Sequence, residues 1–186
     1  AATGQASVTF VATDDCGNAT DTTLYFTIED TTPPAFLTEA EDLTVECDGA
    51  GNTAALQNWL DTHGGATADD VCGDFAWSNN YTAVSDDCGE TGAVTVEFYA
   101  TDECGNDSTA SQTITIQDTT NPMLTIPADY TAECSDMHPL DEATATDNCG
   151  MVTIEEVADT TFSDCPGNYV VTRTFTATDE CGNDST

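Results

Sequence analysis

The feature that most constrains this chain is its internal repetition. Thr13-Asp14-Asp15-Cys16-Gly17-Asn18 returns as Thr101-Asp102-Glu103-Cys104-Gly105-Asn106, and again as Thr178-Asp179-Glu180-Cys181-Gly182-Asn183. The step from Cys16 to Cys104 is 88 residues and the step from Cys104 to Cys181 is 77. A second marker, Asp30-Thr31-Thr32-Pro33-Pro34, returns after 88 residues as Asp118-Thr119-Thr120-Asn121-Pro122. A fixed period of this length means that one supersecondary unit is laid down repeatedly. We expect three segments: the last hairpin of one repeat (1–32), a complete repeat (33–119), and a repeat lacking its last strand (120–186).

The cysteines keep the same register. Cys47, Cys72, Cys88 and Cys104 of the second segment correspond to Cys134, Cys149, Cys165 and Cys181 of the third. The last three of each set are 16 residues apart, whereas Cys47 to Cys72 spans 25 residues against 15 for Cys134 to Cys149. The second segment therefore carries a ten-residue insertion, and Cys16 is expected to find its partner in the front of its own repeat. Nine cysteines at fixed spacings read as a disulfide framework from an oxidising compartment. Zinc or iron–sulfur ligation fits poorly, because no C-x-x-C pair occurs and His63 and His138 stand alone.

Period-two runs precede each Cys-Gly-Asn motif. Val8, Phe10 and Ala12 alternate with Thr9, Val11 and Thr13, and Val94, Val96, Phe98 and Ala100 alternate with Thr95, Glu97, Tyr99 and Thr101. This is the pattern of a half-buried strand. A second strand follows, with Leu24, Phe26 and Ile28, or Ile114 and Ile116, on one face. The pair forms a hairpin whose turn glycine supplies positive φ. Thr- and Val-rich strands punctuated by turns suggest an all-β sandwich. The insertion differs: Leu56, Trp59 and Leu60 share a helical face, Asn52 or Thr53 stands at the cap position, and Gly64-Gly65 ends the run. We expect one short helix there, with Trp59 as a core anchor.

Charge narrows the function. Thirty-five acidic residues face a single basic one, Arg173, for a net charge of −34. Nucleic acid and anionic lipid are excluded as partners, and counter-cations are required. The 39% of hydrophobic residues sit in short alternating runs, so a core can form despite the repulsion. No apolar run is long enough to span a membrane. There is no G-x-S-x-G, H-E-x-x-H or phosphate-binding loop, and the acids recur at turns in every repeat, which suits a structural role rather than an enzyme.

Several strings together resemble the immunoglobulin-like HYR-type repeats of very large secreted bacterial surface adhesins and filaments. They are Ala145-Thr146-Asp147-Asn148-Cys149-Gly150, Cys165-Pro166-Gly167-Asn168-Tyr169, the run Thr172 to Asn183, and the linker Asp118 to Pro122. The resemblance covers essentially the whole chain. It implies tandem immunoglobulin-like β-sandwich repeats, an extracellular or cell-surface location, and a structural or adhesive role. The helical insertion departs from the shortest form of the repeat.

In an immunoglobulin-like strand order, Cys149 and Cys181 lie at one end of the sandwich, with Cys134 and Cys165 toward the other. That order implies the pairs Cys149–Cys181 and Cys134–Cys165 and, by register, Cys72–Cys104 and Cys47–Cys88. Four cysteines permit three pairings, so the scheme rests on topology. The same order gathers acids at each junction: Asp118 with Asp147, Asp179 and Glu180, and Asp30 with Asp69, Asp70, Asp102 and Glu103. Converging carboxylates without Lys or Arg repel, and a hard cation such as calcium resolves the repulsion. The competing reading is solvated surface charge. Arg173 falls in the inward set of its strand and needs a carboxylate or carbonyl partner.

These features imply a stalk, filament or adhesin module whose partners are neighbouring repeats or copies of itself. The alternative is a binding module for carbohydrate or another surface polymer, with Tyr25, Trp77, Tyr81 and Tyr99 supplying aromatic contacts.

Overall fold

A computed structural model of the chain describes residues 3–133, 140–164 and 167–186. It is mostly β, with thirteen strands and one α-helix among the described residues. The chain divides into two compact units whose boundaries cut through the 33–119 segment. One gathers 1–41, 59–81 and 95–112, and the other 42–58, 82–94 and 113–186.

The hairpins explain the recurring motif. Strands β1 (Gly4–Thr13) and β2 (Ala19–Ile28), β7 (Gly92–Asp102) and β8 (Asp107–Gln117), and β12 (Tyr169–Asp179) and β13 (Asp184–Ser185) each flank one copy. At the second copy the Asp102 carboxylate accepts from the Cys104 and Asn106 amides at 2.8 Å each and from the Asn106 side chain at 2.7 Å. Gly105, at φ +88°, closes the turn by donating to the Asp102 carbonyl. Asp14 and Asp179 make the same bonds at their turns. Thr-Asp-x-Cys-Gly-Asn is thus a self-contained Asx-capped turn, with Asp as acceptor and Gly in the left-handed region.

In the first unit, β3 (Ala35–Thr38) pairs with β5 (Thr67–Asp69), and β6 (Phe75–Asn79) pairs antiparallel with β7. Val96, Phe98 and Ala100 are fully buried and alternate with more exposed neighbours, as the period-two pattern requires. The inserted helix α1 (Thr53–Asp61) contributes Trp59, 5% exposed, whose indole donates to the Glu41 carbonyl at 2.9 Å while its ring meets Phe98 edge-on at 5.2 Å. Asn52 does not cap the helix with its side chain; it bonds back to the Glu46 carbonyl and the Asp48 amide. The β1–β2 hairpin departs from the half-buried expectation. Its cross-strand partners Val8 and Leu24 are 55% and 60% exposed, whereas their counterparts in β7 and β8 include the buried Val96. Alternation alone cannot reveal whether a second layer covers the apolar face.

In the second unit, β4 (Leu43–Glu46) lies parallel to β8 through Leu43–Ile114 to Glu46–Gln117, completing a sheet of order β4-β8-β7-β6. β9 (Met123–Thr125) pairs with β10 (Thr144–Thr146), and β11 (Val152–Phe162) with β12. Arg173 grips Glu156 in a two-pronged ion pair at 2.6 and 2.9 Å, donates to the Asp141 carbonyl, and lies over the Phe175 ring.

The disulfides overturn part of the expected pairing. Cys47 bonds Cys149 and Cys88 bonds Cys181, so neither Cys47–Cys88 nor Cys149–Cys181 exists. Cys72 and Cys104 are free thiols, not a Cys72–Cys104 bridge, and Cys16 is free as well. The expected Cys134–Cys165 pair lies outside the described residues. The reason is the short linker. Glu46, at the end of β4, accepts from the Thr119 amide at 2.6 Å and the Thr120 hydroxyl at 2.9 Å. The linker is thereby held beside β4, and the next repeat starts directly against Cys47 and Cys88. Cα separations of 5.6 and 5.1 Å then place the partners across the repeat boundary. Partners that lie across the boundary between repeats cannot be found by pairing cysteines within one repeat.

Candidate metal centre

Each repeat has a head, formed by its incoming linker, the loop before β6 or β11, and the Cys-Gly-Asn turn. All six head aspartates of the two groups sit in tight Asx turns of one kind. Asp30 accepts from the Thr32 amide, Asp70 from Cys72, Asp118 from Thr120, Asp147 from Cys149 and Asp179 from Cys181, all through Oδ1. Asp102 follows the same rule. An Asx turn spends one carboxylate oxygen on the backbone and fixes the side chain close to its own loop.

Three loops then converge. Asp30, Asp70 and Asp102 bring one carboxylate oxygen each within 4.8 Å of the others, and Asp118, Asp147 and Asp179 do the same. Linker asparagine bonds fasten the arrangement: Asn106 donates to the Asp30 carbonyl and Asn183 to the Asp118 carbonyl. Ser108 and Ser185 repeat the equivalence by donating to the carbonyls of Pro34 and Pro122. Asp30, Asp102 and Asp179 are 9%, 7% and 7% exposed. The Oδ2 atoms of Asp30 and Asp147 are buried and make no hydrogen bond. A buried anionic oxygen without a partner is costly, and one occurs in each group.

The electrostatics point the same way. Burial pushes the Asp118 carboxyl above the usual aspartate range against the Thr120 amide bond, and the charges of Asp147, Asp179 and Glu46 add to the shift. Burial also acts to raise Asp102 and Asp179, but hydrogen bonds from Asn106 and Asn183 and the turn amides outweigh it and hold both below that range. The Cys72 thiol is raised by burial and by the neighbouring Asp30 and Asp70 carboxylates.

The expected ligand sets are only partly assembled. Asp69, Glu103 and Glu180 belong to neither group of three. Asp69 pairs with Ala35 at the end of β5, and the Glu180 carboxylate lies against Gly150. Among the described residues Asp14, though it builds the same turn, joins no such group. Sequence reasoning missed Glu46, which clasps the linker, and Asn148, which donates to the Cys47 carbonyl at 2.6 Å. It also missed Gly49 and Gly89, where an added Cβ would overlap the carbonyl oxygens of Asn148 and Cys149. Nothing in their local sequence marks them, since their contacts lie in the following repeat.

What the two groups offer is a hard, all-oxygen donor set of three carboxylates, suited to a divalent cation of the calcium or magnesium kind. The aromatic residues singled out in the sequence assemble no comparable site. Trp77 stacks on His63 at 4.3 Å with Phe36 and Phe75 beside it, and Tyr99 donates to Glu97. No helix among the described residues is long and apolar enough to cross a membrane. No family model and no curated protein matches the chain.

Proposed function

We propose that this chain is a segment of an extracellular stalk, filament or adhesin made of tandem immunoglobulin-like repeats of the HYR type, with no catalytic role. The observation that carries the reading is the pair of bridges across the boundary between residues 33–119 and 120–186. A covalent clamp at two points suits a part that transmits tension or holds a fixed length. A binding domain on a flexible tether has no need of it. Repeats in series give length in proportion to their number, and a strongly acidic surface discourages side-on association.

Calcium is the second half of the proposal. Asp30, Asp70 and Asp102 would hold one ion and Asp118, Asp147 and Asp179 another, each bound where a linker enters a head. The ion supplies the positive charge that this chain, with one basic residue, cannot supply itself. It joins linker, loop and turn, so its loss loosens the linker first. The test is thermal unfolding of the oxidised chain in calcium, in magnesium and in EDTA at fixed ionic strength. Calcium at about a hundred times its dissociation constant should stabilise by about 2.7 kcal/mol per site. Asp147→Asn should remove the increment of one site and leave that of the other. Equal melting in calcium and EDTA would make the acids solvated surface charge.

A further inference from the structure

Resting on the calcium reading above, we propose that the site of Asp118, Asp147 and Asp179 is redox-regulated. Its affinity for the ion depends on the Cys47–Cys149 and Cys88–Cys181 bridges, and the bound ion in turn protects those bridges from reduction. The three aspartates and both bridges lie within the second unit and share their loops.

Each aspartate is anchored to a bridged cysteine or to its neighbour. Asp147 accepts from the Cys149 amide at 2.7 Å, and Asp179 from the Cys181 amide at 2.9 Å. Asp118 is tied less directly. The two residues after it, Thr119 and Thr120, bond to the carboxylate of Glu46, which immediately precedes Cys47. Asn148, between Asp147 and Cys149, donates to the Cys47 carbonyl at 2.6 Å. Cys47 and Cys149 are themselves buried in a small apolar cluster with Ile116, against Val45 and Val84. A carboxylate fastened to the backbone of a bridged cysteine stays where the bridge holds it.

A separate observation points to a cation. The Asp147 Oδ1 atom is taken by the Cys149 amide, while Oδ2 is buried and accepts no hydrogen bond. That second oxygen is the one left for an ion. Three carboxylate oxygens gathered within 4.8 Å of one another repel. With the bridges closed, loop and turn are held together before the ion arrives. With the bridges open they can splay, and the ion must gather them, so affinity falls. By linkage the ion favours the bridged form by the same factor. The group of Asp30, Asp70 and Asp102 is a control inside the molecule. It uses the same Asx turns in the first unit, with Cys72 and Cys104 free, and its affinity should not respond to reduction.

The test equilibrates the full chain in mixtures of reduced and oxidised glutathione at fixed pH and ionic strength, in saturating calcium or in EDTA. Alkylation and digestion then give the fraction of each bridge. Each bridge takes two electrons and two protons from two glutathione thiols, which leave as oxidised glutathione. The equilibrium constant for reduction should be about tenfold smaller in calcium. Asp147→Asn should remove that shift, and Asp179→Asn repeats the test at the turn. Calcium titration by calorimetry should find two sites in the oxidised chain, of which one weakens about tenfold on reduction and the other is unchanged. Equal midpoints with and without calcium, in a chain that binds calcium at both sites, would overturn the proposal. So would a shift that survives both variants, or equal weakening of both sites. Loss of hydrogen-exchange protection across β11 and β12 in the reduced chain would also overturn it, because the coupling would then be unfolding rather than loosened loops. An oxidised chain that binds no calcium would instead remove the calcium reading itself.

Discussion

The heads of the 33–119 and 120–186 repeats share their turns, their three aspartates and their cysteine positions, yet one is bonded and the other is open. Cys149 is bonded and 1% exposed, while its counterpart Cys72 is a half-buried thiol. The Asx turns are intact in both, so local sequence builds the head without help from whatever covers it. The bonded partners of Cys149 and Cys181 lie in the preceding repeat, 102 and 93 residues away in sequence.

A second contrast lies in the strands. Val96 closes the core of the first unit at 0% exposure, whereas the equivalent position in β12 is Arg173, paired with Glu156. The same strand position is filled once by packing and once by an ion pair. The hydrophobic period therefore tolerates a charge if a carboxylate faces it across the pair of strands.

The largest expected effect comes from cutting the clamp. Loops of 93 and 102 residues correspond to about 4–5 kcal/mol for each bridge taken alone, and less than twice that for both, because the loops overlap. Cys47→Ser with Cys88→Ser should lower the melting temperature of the second unit. Hydrogen exchange at the Cys149 and Cys181 turns should then rise to the level of the Cys72 and Cys104 turns. Unchanged protection would mean that packing, not the bridges, distinguishes the two heads.

A smaller effect separates strain from contact. Gly89 and Gly105 both have positive φ, but a Cβ at Gly89 would overlap the Cys149 carbonyl, while at Gly105 nothing lies within 4 Å. Gly105→Ala should cost about 1–2 kcal/mol for the left-handed conformation alone. Gly89→Ala should cost more in chemical denaturation and slow oxidation to the Cys88–Cys181 bridge. Equal costs would count against close docking at that head.

The smallest effect concerns Arg173. Its hydrogen bonds, set against partial desolvation, hold the Glu156 carboxyl below the usual glutamate range. A lowered folded value means that the ion pair contributes fully above the unfolded glutamate range. The contribution fades as pH falls through the lower, folded value. Arg173→Gln should flatten the acid limb of stability against pH for the second unit, by a small shift because the Glu156 side of the pair stays exposed to solvent. An unchanged acid limb would make the pair ornamental.

Much of this was legible from residues alone, and the division is physical. The hairpins, the helix at 53–61 and Trp59 as its anchor follow from short-range pattern, because period and turn chemistry act over a few residues. The aspartates that group in threes were named among a longer set. Which of them converge depends on side-chain placement, so Asp69, Glu103 and Glu180 looked equally suitable in sequence. The Cys47 and Cys88 pairings are not legible in sequence, because register shows which positions are equivalent but not which equivalent repeat supplies the partner. Glu46 gave no signal, since its role exists only once the linker lies beside β4.

The most direct measurement is a non-reducing digest of the oxidised monomer, read by mass spectrometry. The account predicts peptides that join Cys47 to Cys149 and Cys88 to Cys181, across the boundary between the repeats. Peptides that join Cys47 to Cys88 and Cys149 to Cys181 would contradict it, because each repeat would then be closed on itself and the clamp between them would not exist.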